Sequence, residues 1–346
     1  MVFQDINKWN RLTSRLLISG SLTLIAAVFS LSTARAEPVR FIALGDMPYG
    51  EAQDEQFRKI TKAISETKVP FVVHYGDFKK GSAPCSTELM RDALNEIFSL
   101  HDKVIYTPGD NDWTDCDRKS TGSPLSELFM LDRLRDTLQK QFASQKNVLP
   151  KLEHQPLFPE NAIWSSGGVV FITLHIVGSN NGRDEVLLDN KKLARTLVQA
   201  RDYANSKWLK VGLRRAIDEQ ADAIIVTSQA DLTDETGRGD CKFDKGKCDG
   251  FKYITKKLRK VAADWDNPML YIHGDTDDYC LDKTFGGDAA PKLWRLNGPG
   301  DYWVNGDKPG GGVLDAAEIV FQPSSKTAFT VKTLLDGQAP AAGCPS

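Results

Sequence analysis

Residues 103–116 read KVIYTPGDNDWTDC, in which a short apolar run stops at Gly109 and gives way to Asp110, Asn111 and Asp112. An apolar run that ends in Gly-Asp is typical of a buried strand that delivers a carboxylate to a loop at the carboxyl edge of a parallel sheet. Open α/β sheets bind their ligands at that edge. The stretch therefore predicts a strand and the start of a ligand site.

Three other stretches repeat this pattern. An apolar run followed by Gly-Asp recurs as FIALGD at 41–46, FVVHYGD at 71–77 and LYIHGD at 270–275. Four acidic strand ends at one sheet edge would form an anionic pocket, because neighbouring carboxylates repel one another unless a cation compensates their charge. Oxygen ligands of this kind suit divalent ions. The sequence therefore predicts a cation site.

Strand and helix patterns alternate along the chain. They predict helices over 54–67, 86–100, 123–142, 190–220 and 251–265, and further strands over 169–177 and 223–227. This alternation indicates βαβ units around a parallel sheet, so the fold class is α/β. Residues 284–346 carry Gly/Pro-rich turns and short apolar pieces, which predict a β-rich end built of antiparallel strands.

The first 36 residues have the features of a secretion signal. Basic residues precede an apolar run over 16–31, and Ala34, Arg35 and Ala36 fit the small-residue cleavage pattern. We therefore expect residues 1–36 to be a signal peptide and residues 37–346 to form one domain. An uncleaved amino-terminal anchor is the alternative. Cleavage would place the protein in the periplasm or outside the cell, without a stable membrane partner.

The charge balance argues against one class of partner. Without residues 1–36, the 44 Lys and Arg residues fall to 40 and the 46 Asp and Glu residues fall to 45, which gives a formal charge of −5. The chain has no basic tract of the kind that follows a nucleic-acid backbone. Nucleic acid is therefore not expected as a partner.

Six cysteines follow the leader and indicate an oxidising compartment, where disulfides persist. The sequence alone does not choose among their many pairings. We expect these pairs: Cys85 with Cys116, Cys241 with Cys248, and Cys280 with Cys344. The first bridge would join two loops of the ligand site. Zinc binding is the alternative use of these thiols, although the chain has no CxxC pair.

The strand-end loops follow one another in a recognisable order. They read GDMP at 45–48, GDFK at 76–79, GDND at 109–112, SQAD at 228–231 and HGDTD at 273–277. In this order the chain resembles the calcineurin-like metallophosphoesterases, whose loops read GDxH, GDxxx, GNH[ED], a His after a later strand, and GHxH. The resemblance covers 39–283, the motif-bearing core of the domain. It implies a layered α/β/β/α sandwich that hydrolyses phosphate esters.

Most of the histidines of this family are replaced here. Pro48 stands where the first loop of the family has His, and Asp110-Asn111 replaces the Asn-His pair of the third loop. By position, the resemblance implies these metal ligands: Asp46, Asp77, Asp110, Gln229, Asp275 and Asp277. Within this set Asp77 would bridge two ions. Asp46 and Asp277 would complete the ligands of one ion, and the other three residues would complete the ligands of the second.

The replacements exchange nitrogen ligands for oxygen ligands. Carboxylate and amide oxygens bind hard ions, so Mg²⁺, Mn²⁺ or Ca²⁺ is favoured over Zn²⁺ or iron. The resemblance implies two divalent ions and an activated water that attacks phosphorus. Two ions would still leave an excess of negative charge in the pocket. We therefore expect either that some of these carboxylates are partly exposed or that Lys79, Lys80 or Arg183 supplies positive charge for phosphate binding.

The His of the third loop assists the leaving group in this family, and Asn111 occupies its position. An amide can hydrogen bond but cannot donate a proton as a general acid. His273 and His175 are candidates to replace it, and a buried structural role is the alternative for each. The sequence thus predicts a secreted metal-dependent phosphoesterase that acts on a small phosphomonoester or phosphodiester. A non-catalytic metal- or ligand-binding protein on the same fold is the alternative.

Overall fold

The structure, a computed structural model, describes most of the predicted domain. The described residues are 37–145, 148–184, 186–235, 237–241, 247–301, 303–305, 308–323, 325 and 327–345. The predicted signal peptide, residues 1–36, lies outside the described residues. Within the described ranges, no helix is both long enough and apolar enough to cross a membrane.

Three of the strands that carry Gly-Asp loops form the parallel part of the first sheet. They are β1 (Val39–Leu44), β2 (Val72–His74) and β3 (Val104–Tyr106). Val72 of β2 pairs with Ile42 on one side and with Val104 on the other, so the strands end at a common edge. Apart from Arg40 and His74, their side chains are apolar or aromatic, and they are buried because both faces of the sheet are covered.

The second sheet carries the later strand-end loops. Its strands are β4 (Glu153–Gln155), β5 (Phe158–Ser166), β6 (Val169–Thr173), β7 (Ala223–Thr227), β8 (Met269–His273), β9 (Cys280–Asp282) and β10 (Leu293–Asn297). β6, β7, β8 and β10 run parallel. The sequence predicts that this strand extends to residue 177, but β6 ends at Thr173. The backbone of His175 leaves the ladder because its amide donates to Asn161 Oδ1 and its carbonyl accepts from Asn205 Nδ2.

The chain after 283 is rich in strands, as predicted. The strands β11 (Trp303–Asn305) and β12 (Lys308–Gly311) form a two-stranded sheet. The antiparallel pair β13 (Ala317–Phe321) and β14 (Phe329–Thr333) extends the first sheet beyond β1. The last strand, β15 (Ala341–Ala342), pairs with β9. The prediction of purely antiparallel strands is wrong in two places. β10 pairs parallel with β8, and β15 pairs parallel with β9.

Six α-helical segments lie in the part of the chain that the structure describes. They are α1 (Glu51–Glu66), α2 (Thr87–Ser99), α3 (Glu127–Ser144), the short turn α4 (Gly178–Gly182), α5 (Lys191–Asp218) and α6 (Lys252–Ala263). The hydroxyl of Ser86 accepts from the amide of Leu89 and caps α2. Ser126 caps α3 in the same way, through the amide of Phe129, so this helix begins later than the predicted 123.

The apolar residues fall into three buried clusters that define the layers. One cluster lies between the two sheets, where Phe41 and Phe71 of the first sheet pack against Phe171 of the second, with ring centroids 5.2 and 4.9 Å apart. A second cluster packs α1, α2 and α3 on the outer face of the first sheet. The third packs α5 and α6 on the outer face of the second sheet. The predicted α/β/β/α sandwich is confirmed.

All six cysteines form the expected disulfides. Cys85 pairs with Cys116, Cys241 with Cys248, and Cys280 with Cys344. The first bridge ties the loop after β2 to the loop after β3, and the last ties β9 to the carboxyl-terminal segment. The alternative use of these thiols in a zinc site is excluded, because no cysteine is left free.

Candidate metal centre

The common edge of the two sheets holds most of the predicted ligands. The strands β1, β2, β3, β7 and β8 lead to Asp46, Asp77, Asp110, Gln229 and Asp275. Three of these aspartates have left-handed backbone, with φ of 53° at Asp46, 57° at Asp77 and 72° at Asp275. Aspartate tolerates this region better than most residues, and a left-handed residue turns the chain sharply. Each of these carboxylates therefore stands on a bend at the end of its strand.

Three carboxylates meet at this edge, and we call Asp77, Asp110 and Asp275 the carboxylate cluster. One oxygen of each lies within 4.8 Å of the others. The backbone amide of Asn111 donates to Oδ1 of Asp77 at 3.0 Å, and the hydroxyl of Ser179 donates to Oδ2 of Asp110 at 2.7 Å. These bonds orient the two side chains and leave Oδ2 of Asp77 and Oδ1 of Asp110 facing the interior of the cluster.

The side-chain amide of Gln229 occupies that interior. Its Nε2 atom donates to Oδ2 of Asp77 at 3.0 Å, to Oδ1 of Asp110 at 3.0 Å and to Oδ1 of Asp275 at 2.8 Å. Its Oε1 atom accepts a hydrogen bond of 2.6 Å from the backbone amide of Gly178. The sequence predicts Gln229 as a metal ligand, but here its donor nitrogen faces the carboxylates. To act as a metal ligand, this amide must rotate so that Oε1, and not Nε2, faces the carboxylates.

Asp46 contacts the loop after β8, and Asp277 belongs to that loop. Asp46 is 1% exposed, and its carboxylate accepts from the backbone amide of Asp275 at 3.3 and 3.4 Å. A Cβ atom on Gly274 would lie 1.7 Å from Oδ2 of Asp46, so this approach requires glycine. Asp277 is partly exposed and stands outside the carboxylate cluster.

Asp112 has a structural role at this edge. Its carboxylate accepts hydrogen bonds from the backbone amides of Asp77 (3.1 Å), Phe78 (3.0 Å) and Gly109 (2.8 Å), and from the hydroxyl of Tyr106 (2.5 Å). All four donors belong to β3 or to the loops that follow β2 and β3. Asp112 therefore holds these two loops together, and its oxygens face the backbone.

Asp115 extends the site beyond the residues that the sequence predicts. Its Oδ1 accepts from Ser179 at 2.9 Å, and its Oδ2 lies 2.5 Å from the guanidinium of Arg118. Arg118 also donates to the hydroxyl of Ser179 at 2.8 Å. Ser179 thus connects Asp110 of the carboxylate cluster to an ion pair at its rim. The motif that ends at Asp112 gave no reason to include Asp115 and Arg118.

Ser179 belongs to a strained turn, α4. Ser179, Asn180 and Asn181 have φ of 52°, 56° and 58°, so the turn is left-handed. Such a conformation costs roughly 1–2 kcal/mol for each residue that carries a Cβ atom. Side-chain bonds hold it: Asn180 Oδ1 accepts from the amide of Gly250 at 2.7 Å, and Asn181 Nδ2 donates to Asp202 at 2.8 Å. Strain of this kind is common at functional sites.

A cavity of about 1060 Å³ opens onto the carboxylate cluster. Besides the cluster it is lined by Tyr49, Lys80, Arg118 and Asp301, among others. Asn111 Nδ2 donates to the hydroxyl of Tyr49 at 3.3 Å, and the backbone amide of Asp301 donates to the carbonyl of Asp46 at 3.0 Å. Neither Tyr49 nor Asp301 was predicted. Tyr49 follows the first loop directly and could have been considered, whereas Asp301 comes from a distant segment with no motif.

Burial dominates the electrostatics of the site. It raises the pKa of Asp77 well above its usual value, and the neighbouring carboxylates of Asp110 and Asp46 raise that pKa further. Burial also raises the pKa of Asp46 and Asp275 well above their usual values, in each case with help from nearby carboxylates. At the rim, burial raises the pKa of Asp115 to about 8. The site is thus short of positive charge.

Comparison with known proteins agrees with the geometry. The family model for calcineurin-like phosphoesterases matches residues 39–276. This chain belongs to that family. No curated protein matches it. The match covers all five strand-end loops up to Thr276.

The two cations predicted to bind substrate, Lys79 and Arg183, both have partners within the protein. The ammonium of Lys79 is buried and donates to the carbonyls of Lys80 (3.3 Å) and Ala83 (3.4 Å). Arg183 pairs with Asp202 at 2.6 Å and lies against Gly250, away from the carboxylate cluster. Lys80, the third predicted cation, lines the cavity.

The two histidines predicted as candidates for proton transfer, His273 and His175, are fully buried. His273 stacks on Tyr271 with ring centroids 5.5 Å apart, and its Nδ1 atom lies 2.7 Å from the carbonyl of Gly274. Residues 271 and 273 share the face of β8 that packs on the helices, so His273 points away from the cavity. His175 Nδ1 lies 2.7 Å from Glu160, which Arg135 also binds, consistent with its structural alternative.

The donors of the site fit a hard divalent ion. The carboxylate cluster supplies only oxygen, and one oxygen of each carboxylate lies within 4.8 Å of the others, with the amide of Gln229 between them. Burial without a cation raises the pKa of Asp77, Asp46 and Asp275, which is the response expected of carboxylates built to face positive charge. Calcineurin-like phosphoesterases typically bind divalent metals. Asp46 and the cluster are the residues that would hold such an ion.

Proposed function

We propose that this chain is a secreted, divalent-metal-dependent phosphoesterase that hydrolyses a small phosphomonoester or phosphodiester. The observation that carries the proposal is the convergence of the carboxylate cluster at the floor of a cavity of about 1060 Å³. Three disulfides support an oxidising compartment such as the periplasm or the cell exterior. Mg²⁺, Mn²⁺ or Ca²⁺ suits the all-oxygen donor set better than Zn²⁺ or iron.

A bound divalent ion supplies Lewis-acid stabilisation of the phosphoryl charge and activates water at neutral pH. The chain supplies the remaining functions. Arg118, held by Asp115, stands at the cavity wall where it can pair with phosphoryl oxygens. The Tyr49 hydroxyl and Asn111 Nδ2 offer hydrogen bonds beside the cluster, in the region where the family has its His. Neither of these groups is a general acid at neutral pH, so a substrate with a good leaving group is favoured.

The test is hydrolysis of an aryl phosphate and of a bis-aryl phosphate by the chain from residue 37 onward, with Mn²⁺, Mg²⁺ or Ca²⁺ added. Asp77→Ala removes the central carboxylate and is expected to abolish the reaction. Asp264→Ala, at an exposed helix end, is the matched control and is expected to retain full activity. Retention of activity by Asp77→Ala would refute the proposed site.

A second function has one specific observation in its favour. Gln229 presents a donor to the carboxylate cluster, and Asn111 replaces the proton donor of the family, so the same fold could bind metal or a ligand without turnover. Stoichiometric metal binding without hydrolysis across a broad panel of phosphate esters would favour this alternative. Hydrolysis that depends on both added metal and Asp77 would exclude it.

A further inference from the structure

The position of Gln229 bears on how many ions the centre binds. Each carboxylate of the cluster accepts from Nε2 of Gln229 through one oxygen, at 2.8–3.0 Å, and the three carboxylates lie close enough together to surround a metal ion. A metal–oxygen bond to Mg²⁺ is much shorter, about 2.0–2.1 Å. The amide nitrogen and an ion therefore compete for the same small volume.

The orientation of this amide follows from its other contact. The backbone amide of Gly178 is buried and can only donate, so the atom that faces it at 2.6 Å must be Oε1 of Gln229. The nitrogen is then obliged to face the carboxylates. Turning the amide over would set its oxygen against the carboxylate oxygens and leave the donor of Gly178 facing an NH₂ group.

The backbone of Gly178 also closes one side of the cluster. A Cβ atom at this position would lie 2.3 Å from Oδ1 of Asp275 and 2.7 Å from Oδ2 of Asp110, so the chain passes directly over these carboxylates. The next residue, Ser179, is tied to Asp110 and Asp115. Gln229 is itself fully buried. The amide is therefore confined by the backbone of Gly178 on one side and by the carboxylate cluster on the other.

We propose that the Gln229 amide takes the place of one of the two metal ions, so that this phosphoesterase binds a single divalent ion. Two N–H groups directed at three carboxylates supply part of the attraction that an ion would supply, without its charge. Asp46, together with Asp77, would hold the remaining ion. This inference rests on the proposed function, because it presupposes that the centre binds a divalent ion.

The experiment counts ions and does not depend on turnover. The purified chain is loaded with Mn²⁺, passed through a desalting column and analysed for manganese per chain, and its electron paramagnetic resonance spectrum is recorded. The wild type is expected to hold one ion with the spectrum of isolated Mn²⁺. Gln229→Glu places a carboxylate where the amide was, and is expected to hold two ions with the spectrum of a coupled pair.

Two further variants complete the design. Gln338→Glu makes the same chemical change at an exposed position and is expected to keep one ion. Gln229→Ala removes the amide without adding charge and is expected to admit a second ion at higher Mn²⁺ concentration. Two ions in the wild type, no ion in the wild type, or one ion in both Gln229 variants would each overturn the proposal. One ion without any hydrolysis would overturn the proposed function and leave this inference standing.

Discussion

The carboxylate of Asp112 accepts a hydrogen bond of 3.1 Å from the backbone amide of Asp77, which ties the loop after β3 to the residue at the centre of the site. Three more donors converge on the same carboxylate. The two aspartates of the Gly-Asp-Asn-Asp motif therefore have different roles. Asp110 faces the cluster and Asp112 holds the loops that position it.

Asp112→Asn is expected to destabilise the fold. The amide nitrogen of Asn would face backbone donors and the buried Tyr106 hydroxyl, so at least one bond is lost and one donor is left unpaired. We expect a loss of about 2–4 kcal/mol in the free energy of unfolding, measured by urea denaturation. Asp264→Asn, at the surface, is the control with no expected change. Equal stability of the two variants would contradict the structural role of Asp112.

Tyr49→Phe tests a residue that no motif pointed to. Burial raises the pKa of Tyr49 well above its usual value, and the carboxylates of Asp77 and Asp46 raise it further, so the hydroxyl stays protonated as a donor. Loss of a hydrogen bond to a charged phosphoryl group is expected to lower kcat/KM about 10- to 100-fold. Manganese content should not change. Tyr253→Phe, whose hydroxyl contacts Ser206 outside the cavity, is the control. Unchanged kinetics of Tyr49→Phe would remove Tyr49 from the site.

The stability of the metal-free protein is expected to fall as the pH rises from about 6.5 to 8. Burial raises the pKa of Asp115 to about 8 and that of Glu127 to about 8, so the folded state binds protons that the unfolded state has released. Stability from these groups is present at low pH and is lost as the pH rises through 8, by about 1.4 kcal/mol per pH unit for each extra proton. Below 6.5 the buried His74 and His175, whose pKa values burial lowers to about 3, act in the opposite direction.

Thermal unfolding at pH 6.5 and pH 8 in a chelator measures this effect. Added Mn²⁺ binds deprotonated carboxylates, so it is expected to raise the unfolding temperature more at pH 8 than at pH 6.5. Glu127→Gln should reduce the pH dependence in the chelator, because Glu127 lies outside the carboxylate cluster and titrates without metal. An unfolding temperature that rises with pH in the chelator would contradict the shifted pKa values.

The strand-end pattern predicts the fold and half of the site, because a buried parallel strand must be apolar and must end where its polar residue emerges. This pattern predicts Asp46, Asp77, Asp110 and Asp275. The face on which a side chain lies is harder to predict. Every residue of β8 is apolar or buried, so the alternation that sends Leu270 to the other sheet and His273 to the helices leaves no trace in the sequence.

Long-range contacts set the rest of the site. Asp301 comes near Asp46 only through a backbone hydrogen bond between segments that are far apart in sequence, and nothing in its own neighbourhood marks it. The direction of the Gln229 amide depends on the donor of Gly178. A residue type can be predicted as a possible ligand from its loop, but whether it offers its oxygen or its nitrogen depends on such partners.

The three disulfides are expected to contribute to stability in the order of their loop lengths. They close loops with sequence separations of 7 for Cys241–Cys248, 31 for Cys85–Cys116 and 64 for Cys280–Cys344. The chain-entropy relation makes the second bridge worth about 1.3 kcal/mol more than the first, and the third about 0.6 kcal/mol more than the second. Paired Cys→Ser variants measured by urea denaturation test this order.

Cys85→Ser with Cys116→Ser should also weaken Mn²⁺ binding, because this bridge holds the loops of Asp77 and Asp115, whereas Cys280→Ser with Cys344→Ser should leave Mn²⁺ affinity unchanged. Equal Mn²⁺ affinity in both double variants would show that Asp112 and the backbone bonds suffice to hold the site.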